Sequence, residues 1–483
     1  MTKLKSNIAN SAIKLSIAKI ITLSISMISA MLLSRFRSLE DYGTYSQLMT
    51  IINLFTSLLM LGLPNSINYF LAKSETNKER QIFINTYYTF STILSLIVGI
   101  VLINSIPLIV RYFNNILIKN FIYFLAIYPW AKIITSSIEN VLIVYGKANI
   151  LMIYRIINSI ALLAIIIISQ ILDLKFEIYM LLLVCVESIF AIIVYILVNY
   201  YSGKLTFYIN IKMLKQILIF SIPLGIASVV GTLNIELDKL TIGNMLDTEQ
   251  LAIYTNAARE MPVTIIATSI TAVILPELTY LLKKNKYDKA ISIWGNSIIV
   301  SYLIICFLAT SFFVFAPQVM SVLYSDKYLA GVSVFRIYNI VLLLRCTYFA
   351  MILNAQGKSK FILYSSIASL ILNIILNYIC YFLFGFTGPA IATLLSTILI
   401  ALCQLIYTTK ITNINFKNIL PWKYLSFITS INFIIGILLF ITKKLMNMNE
   451  IVEAIILVTI AFVIYVLISF RIFNYNWNKL KEV

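Results

Sequence analysis

The chain has 483 residues, of which 61% are hydrophobic and only 12% are charged, and its mean hydropathy is +0.95. Soluble globular proteins carry about 25% charged residues, so this composition excludes a water-soluble enzyme and indicates a protein whose solvent is lipid. The chain contains no histidine, and its five cysteines are widely spaced in apolar runs, which argues against histidine catalysis, zinc sites and a disulfide framework. We therefore expect no cofactor.

Fourteen segments are long and apolar enough to form membrane-spanning helices, which need about 20 residues. In chain order, these segments cover residues 8–33, 42–72, 82–110, 120–144, 150–171, 177–200, 213–243, 249–282, 290–315, 328–354, 360–383, 387–409, 422–442 and 450–470. The loops between them are short, and no loop carries the GxxxxGK[ST] pattern that cradles nucleotide phosphates. The sequence thus predicts an all-α polytopic membrane protein with about fourteen transmembrane helices.

The basic residues are distributed unevenly between the two sides of these segments. The net charge of +18 comes from 37 Lys and Arg against 19 Asp and Glu. With a cytoplasmic N-terminus, the cytoplasmic segments hold 21 Lys and Arg and the opposite side holds 8. Cytoplasmic loops of membrane proteins are enriched in these residues, so we expect both termini in the cytoplasm. Topology accounts for most of the basic charge, and a nucleic-acid partner is not expected.

Three short matches at nearly the same offset indicate an internal repeat. Offsets of 209, 212 and 211 residues relate Tyr42–Tyr45 to Leu251–Tyr254, Leu63-Pro64 to Leu275-Pro276, and Gly146-Lys147 to Gly357-Lys358. The repeat spans six helices and predicts two parallel lobes, residues 1–203 and 204–415, followed by two extra helices and a cytoplasmic tail in residues 416–483. Parallel repeats of this kind place a substrate site between the lobes near mid-membrane, which points to transport.

Charged residues within the predicted spans are candidates for that site, because a charge at the bilayer centre costs about 2.5–3.5 kcal/mol. The first, second, seventh and eighth spans carry polar residues every three or four positions, which predicts a water-filled cleft. The basic candidates for binding an anionic head group are Lys19, Lys239, Arg259 and Arg345, and the acidic candidates for ion coupling or charge pairing are Glu236, Asp238 and Glu260. A structural ion pair between Asp238 and Arg259 is an open alternative. Lys132 and Glu139 lie seven residues apart and hence on one helix face, and we interpret them as paired with neighbouring helices rather than as part of a site.

Several short motifs resemble those of the polysaccharide repeat-unit flippases of the multidrug/oligosaccharidyl-lipid/polysaccharide (MOP) exporter superfamily. These are Leu39-Glu-Asp-Tyr-Gly-Thr-Tyr45, Asp238-Lys239-Leu-Thr-Ile-Gly243 and the Gly-Lys turns at residues 146 and 357. The resemblance implies a V-shaped, MATE-like carrier with a basic central cavity, to which Lys19, Lys239 and Arg259 would contribute. It implies alternating-access transfer of an undecaprenyl-diphosphate-linked oligosaccharide to the outer leaflet of a bacterial inner membrane, for O-antigen or capsule. Coupling to H⁺ or Na⁺ and a polymerase with chain-length machinery as partners are further expectations.

Three other functions fit the sequence less well than the one this resemblance implies. A drug or metabolite antiporter of the same superfamily should have an acid-lined site for organic cations, whereas the candidate residues here are of mixed sign. A membrane polysaccharide polymerase or ligase typically has a sizeable outer loop, and the longest outer loop here has about 12 residues. A major-facilitator transporter should have a Gly-rich basic loop between its second and third helices, where this chain has Lys73-Ser-Glu-Thr-Asn-Lys-Glu-Arg80.

Overall fold

The computed structural model describes residues 2–60, 62–445 and 451–481, with side chains described from residue 17 to residue 480 within these ranges. The chain is 90% helical, and the described ranges contain no β-strand. The predicted all-α fold class is therefore confirmed.

The helices divide by their contacts into two compact units, Met1–Ala252 and Ile253–Val483. The helices up to this division are α1 (Thr2–Phe36), α2 (Leu39–Met60), α3 (Leu63–Lys73), α4 (Asn77–Phe113), α5 (Ile122–Val144), α6 (Ala148–Ile171), α7 (Phe176–Ser202) and α8 (Ile211–Met245), with α9 (Thr248–Ala257) at the boundary. The second unit continues with α10 (Ile265–Lys283), α11 (Tyr287–Val314), α12 (Ala316–Tyr324), α13 (Val332–Leu344), α14 (Met351–Ala355), α15 (Ser359–Phe384), α16 (Gly388–Thr412), α17 (Phe416–Ile419), α18 (Trp422–Leu445) and α19 (Ile451–Lys481).

Within the described ranges, thirteen segments are long and apolar enough to cross a membrane. One of them, Ser359–Thr412, has 54 residues and contains both α15 and α16, which the sequence analysis counted separately. The outer faces of these helices expose many large apolar side chains, as expected where lipid replaces water as solvent. The chain is a multi-pass membrane protein.

Three of the predicted continuous spans are interrupted. The second span breaks between α2 and α3, where Gly62 adopts a left-handed φ of 71° and a Cβ would lie 2.7 Å from the amide nitrogen of Gly225. The eighth span breaks between α9 and α10 next to Pro262, which has no amide hydrogen to donate. The tenth span breaks between α13 and α14, where Arg345 follows the last residue of α13. Residues 42–72, 249–282 and 328–354 are therefore each two helices rather than one.

In the first unit, α8 packs against α2, α3 and α4. Gly43 on α2 permits a close approach to the start of α9, because a Cβ on it would lie 2.0 Å from the carbonyl oxygen of Thr248. This close contact gives a structural reason for the glycine in the Leu39–Tyr45 motif. The contacts place α8 with α1–α7, whereas the repeat predicted that residue 204 begins the second lobe. The predicted lobes at residues 1–203 and 204–415, with 416–483 outside them, stay a prediction, because a division by contacts does not test a repeat.

In the second unit, α11 lies at the centre of the core and packs against α10, α13, α18 and α19. Trp294 on α11 is fully buried, and its indole nitrogen donates to Oγ1 of Thr347 at 2.9 Å. Tyr465 on α19 donates from its hydroxyl to the carbonyl oxygen of Leu303 at 2.8 Å. The two C-terminal helices, which lie outside the predicted repeat, are thus attached to the core of the second unit.

Candidate functional site

A cluster of polar side chains joins α2 to α8 inside the first unit. Asn53 and Ser57 are four residues apart on α2, and Thr232 and Glu236 are four residues apart on α8, so each pair lies on one helix face. The hydroxyl of Ser57 donates to Oγ1 of Thr232 at 3.0 Å, one turn away from Glu236. The polar stripes that the sequence showed on these two helices therefore face each other.

Glu236 is the acceptor at the centre of this cluster. Asn53 Nδ2 donates to its Oε1 at 2.7 Å, while Thr50 Oγ1 and Lys239 Nζ donate to its Oε2 at 3.1 and 2.8 Å. The side chain of Glu236 is 5% exposed and that of Lys239 is 23% exposed. A carboxylate with three donors in such a buried position is well satisfied, and Lys239 supplies its counter-charge.

Lys132 on α5 reaches the same cluster, although it was not among the site residues predicted from the sequence. Its ammonium donates to Oδ1 of Asn53. It makes no ion pair with a carboxylate in the described part of the chain, and Glu236 and Glu187 attract it only from beyond ion-pair distance. Lys132 thus contacts the neighbouring helix α2 through an amide and not through an ion pair. The interpretation that it pairs with a neighbouring helix rather than forming part of a site stays a prediction.

A polar cleft of about 470 Å³ opens beside this cluster in the first unit. Lys132, Asn53 and Glu236 line it, and the remaining lining residues are Thr56, Ser57, Met60, Gly62, Pro64, Asn65, Ser228, Thr232 and Ile235. Helix α3 begins at the same cleft, and the first turn of a helix favours negative charge. The cleft therefore combines one ammonium group and one carboxylate with amides and hydroxyls that can bind oxygen atoms.

The predicted site residues of the first unit lie at different distances from this cleft. Glu236 lines it, and Lys239 contacts it through its ion pair with Glu236. Asp238 is buried on α8, and Lys19 is exposed on α1; neither lines this cleft. The structure thus brings together Glu236 and Lys239 with residues of α2 and α5.

The predicted site residues of the second unit meet at two helix breaks. The guanidinium of Arg345, between α13 and α14, pairs with Glu260, between α9 and α10, at 2.9 Å, and the two side chains are 46% and 42% exposed. Arg259 is half-buried next to Glu260, and both line a narrow crevice with Phe335 and Asn339. The cleft predicted between the two lobes, with Lys19, Lys239, Arg259 and Arg345 on its walls, stays a prediction.

The first-unit cleft is suited to binding an anion. Lys239 forms the ion pair with Glu236. Lys132 is a second positive charge at the cleft, its direct partner is the amide of Asn53, and Glu236 attracts it from further away. A charged group in a membrane-spanning helix normally faces an opposite charge or water, because hydrocarbon cannot solvate it. Lysine binds phosphate as a point charge. In the described part of the chain, no group of three His, Cys, Asp or Glu side chains could hold a metal ion.

Comparison with known protein families shows to which family the chain belongs. A family described as "Polysaccharide biosynthesis protein" matches residues 32–333, which is more than half of the 483 residues. The chain belongs to this family. The match begins in α1 and ends in α13, so it includes the α2, α5 and α8 segments that line the polar cleft.

A curated relative and two solved structures resemble the chain. The "Probable low-salt glycan biosynthesis flippase Agl15" of Haloferax volcanii is 22% identical over 50% of this chain and 52% of its own length. The chain thus spans about half the length of the curated relatives it matches. The structure of "Lipid II flippase MurJ, inward closed conformation" matches 95% of this chain and 99% of its own, with 17% identity and a TM-score of 0.76.

The second structure is the inward-facing conformation of a multidrug resistance MATE family transporter of the MOP superfamily. It matches 83% of this chain and 98% of its own, with 16% identity and a TM-score of 0.65. At 16–17% identity, these two similarities show a shared fold and nothing more. The expected MATE-like, MOP-type fold is confirmed. The exact number of fourteen spans and the V-shaped arrangement of lobes stay predictions.

Proposed function

We propose that this protein is a flippase that carries a lipid-linked oligosaccharide across the membrane, rather than an enzyme. Family membership, the name of the Haloferax relative and the fold shared with a lipid II flippase support this proposal. The single observation that carries it is the ammonium of Lys132 in a polar cleft between membrane-spanning helices, with no carboxylate paired to it in the described part of the chain.

In this proposal, the diphosphate of the substrate binds at Lys132 and its first sugars contact the amides and hydroxyls of the cleft. The hydroxyls of Ser57 and Thr232 already bond to one another and can exchange this bond for bonds to the sugar. An inside-negative potential favours outward movement of an anion by about 2.3 kcal/mol per charge per 100 mV, which matches transfer from the cytoplasmic to the outer leaflet. Alternating access of the cleft to the two sides would complete the cycle.

The finer parts of the proposal concern the substrate, the location and the partners. We propose undecaprenyl diphosphate as the lipid carrier, and O-antigen or capsule as the polymer that the oligosaccharide enters. We place the protein in a bacterial inner membrane with both termini in the cytoplasm, because the basic residues lie mostly on that side. A polymerase and chain-length machinery would act on the translocated oligosaccharide.

Coupling to H⁺ or Na⁺ belongs to the same proposal. Glu236 and Asp238 are buried carboxylates on α8, and a carboxylate at the cleft can exchange a proton or bind a cation when the site resets. Transport by the Asp238→Asn, Glu236→Gln double variant should lose its dependence on the coupling ion. An ion dependence equal to that of the unaltered protein would contradict this part of the proposal.

Deletion of the gene in its native host tests the proposed function. Lipid-linked oligosaccharide should accumulate in the cytoplasmic leaflet, and the surface polymer should disappear. Complementation with the unaltered gene should restore the polymer, whereas a Lys132→Met gene should not, although the protein reaches the membrane in equal amount. Normal surface polymer with altered drug tolerance would contradict the flippase proposal and favour a drug antiporter.

A further inference from the structure

A second cluster of polar side chains lies beside the cleft, and the proposed binding of the diphosphate does not use it. Asn68 on α3 donates from its side-chain amide to Oδ1 of Asn140 on α5 at 3.0 Å. Asn140 in turn donates to the carbonyl oxygen of Pro64 at 3.0 Å. Glu139, the neighbour of Asn140, forms an ion pair with Arg155 on α6. Three helices of the first unit are thus joined by the α5 cluster, which consists of Asn68, Glu139, Asn140 and Arg155.

A continuous polar stripe connects the α5 cluster to the cleft. On α5, Lys132 lines the cleft, Ser136 lies four residues later, and Asn140 lies four residues after that, so all three share one helix face. On α3, Asn65 lines the cleft, and Asn68 follows it by three residues. At 1.5 Å per residue, the stripe runs about 12 Å along α5 from Lys132 to Asn140.

The stripe faces water and not lipid. Both α3 and α5 belong to segments that are long and apolar enough to cross the membrane. Asn65, Asn68 and Ser136 are nevertheless exposed, and Glu139 and Arg155 are partly exposed. Exposed amides and charges at membrane depth normally border a water-filled cavity, because hydrocarbon cannot solvate them. The predicted topology places the end of α5 in the cytoplasm, so the stripe leads from the cleft towards the cytoplasmic side.

The hydrogen-bonding groups of the α5 cluster suit the hydroxyl groups of an uncharged sugar. In the described structure, Asn68 uses one N–H of its amide, so the other N–H and the carbonyl oxygen are available to a ligand. Glu139 accepts hydrogen bonds and Arg155 donates them, whereas a sugar hydroxyl can do both. The ion pair of Glu139 and Arg155 has no net charge. A sugar carboxylate would be repelled by Glu139 and would find Arg155 already paired, so the cluster favours an uncharged sugar.

We propose that the α5 cluster is a saccharide subsite, which binds the second sugar of the lipid-linked oligosaccharide and selects an uncharged sugar over a uronic acid. This inference rests on the proposed flippase function, in which the diphosphate binds at Lys132 and the first sugar contacts the cleft. The oligosaccharide comes from the cytoplasm, so its further sugars lie on the cytoplasmic side of the diphosphate, where the stripe leads. The cleft then supplies the affinity that depends on charge, and the α5 cluster supplies the affinity that depends on the sugar.

Binding of three probes to the purified full-length protein in lipid nanodiscs tests this proposal. The probes are undecaprenyl diphosphate and its conjugates with two disaccharides that begin with N-acetylglucosamine, one ending in glucose and the other in glucuronic acid. The unaltered protein should bind the glucose conjugate about tenfold more tightly than undecaprenyl diphosphate, and more tightly than the glucuronic acid conjugate. Asn68→Leu should lower the ratio of the affinities for the glucose conjugate and undecaprenyl diphosphate about fivefold, which corresponds to about 1 kcal/mol, the contribution of one hydrogen bond.

Glu139→Gln tests the selection of an uncharged sugar. This substitution removes the negative charge and leaves the guanidinium of Arg155 without its carboxylate. The variant should bind the glucuronic acid conjugate about fivefold more tightly than the glucose conjugate, because Arg155 can then pair with the sugar carboxylate. An ion pair with a purely structural role would not reverse the preference between the two conjugates.

Asn104→Leu is the matched control, because Asn104 is an exposed asparagine on the membrane-spanning helix α4 and belongs neither to the stripe nor to the cleft. This control should keep the affinity ratio of the unaltered protein. An unchanged ratio in Asn68→Leu, or equal weakening of all three probes, would overturn the saccharide subsite. An unchanged preference in Glu139→Gln would overturn the selection of an uncharged sugar. Failure of all three probes to bind the unaltered protein would instead contradict the proposed flippase function, on which this inference rests.

Discussion

Substitution of Glu236 by glutamine removes the charge that organises the α2–α8 cluster while it preserves the shape of the side chain. In the structure, three donors converge on the carboxylate: Thr50, Asn53 and Lys239. A glutamine amide offers one acceptor oxygen instead of two charged ones. At least one bond to a charged acceptor is lost, and the ammonium of Lys239 loses its counter-charge.

The expected loss of stability in Glu236→Gln follows from these contacts. A hydrogen bond to a charged group contributes about 1.5–3 kcal/mol, and the 23% exposure of Lys239 lets water replace part of the lost interaction. We expect Glu236→Gln to lower the free energy of unfolding by about 2–3 kcal/mol. Adding Lys239→Met to this variant removes the unpaired ammonium. The double variant should therefore be more stable than the sum of the two single effects predicts, by about 1–2 kcal/mol.

Equilibrium unfolding in mixed micelles of dodecyl maltoside and sodium dodecyl sulfate measures these changes. Glu139→Gln is the control, because Glu139 pairs with Arg155 but is 45% exposed, and an exposed pair contributes less than about 1 kcal/mol. Equal stability of Glu236→Gln and Glu139→Gln would refute the reasoning. Strict additivity of the Glu236 and Lys239 substitutions would also refute it, since the ion pair would then contribute nothing.

Three further predictions concern other parts of the chain. Gly43→Ala should reduce the amount of folded protein in the membrane, because the added Cβ would lie 2.0 Å from a backbone oxygen; a normal yield and thermal stability would show that the backbone adjusts freely. Arg345→Gln and Glu260→Gln should each change stability by less than about 1 kcal/mol, because the pair is nearly half exposed, and a larger loss in unfolding experiments would mean that the pair is buried in the membrane. In a cysteine-free background, a membrane-impermeant maleimide should label the exposed positions Thr76→Cys only from the cytoplasmic side and Asp326→Cys only from outside; the reverse pattern would invert the predicted topology.

The sequence predicts the helices well because spanning segments follow from hydropathy alone. The helix breaks inside three of the predicted spans can be predicted only partly from the sequence. Gly62 and Pro262 are residues that interrupt helices, whereas the break after Leu344 contains neither glycine nor proline in residues 345–350. Its position is a property of the packed second unit and not of the local sequence.

The sequence likewise predicts only part of the candidate site. Glu236 and Lys239 are three residues apart on one helix, so their pairing follows from helix geometry. Lys132 lies 79 residues from Asn53, and only the packing of α5 against α2 brings the two together. Glu260 and Arg345 are 85 residues apart and meet because two helices break near each other. The isolated lysine inside an apolar run was the signal for Lys132, but the sequence does not give its partner.

Binding of undecaprenyl diphosphate to the purified protein in lipid nanodiscs tests the central role of Lys132 most directly. Lys132→Met should weaken binding about tenfold or more, because the ammonium that faces the cleft is lost, while Lys132→Arg should retain most of the affinity. Lys239→Met should weaken binding much less, since Glu236 already neutralises Lys239. Equal affinity of the unaltered protein and Lys132→Met would contradict the account, because the cleft would then bind its ligand without the one cation that lines it among the described residues.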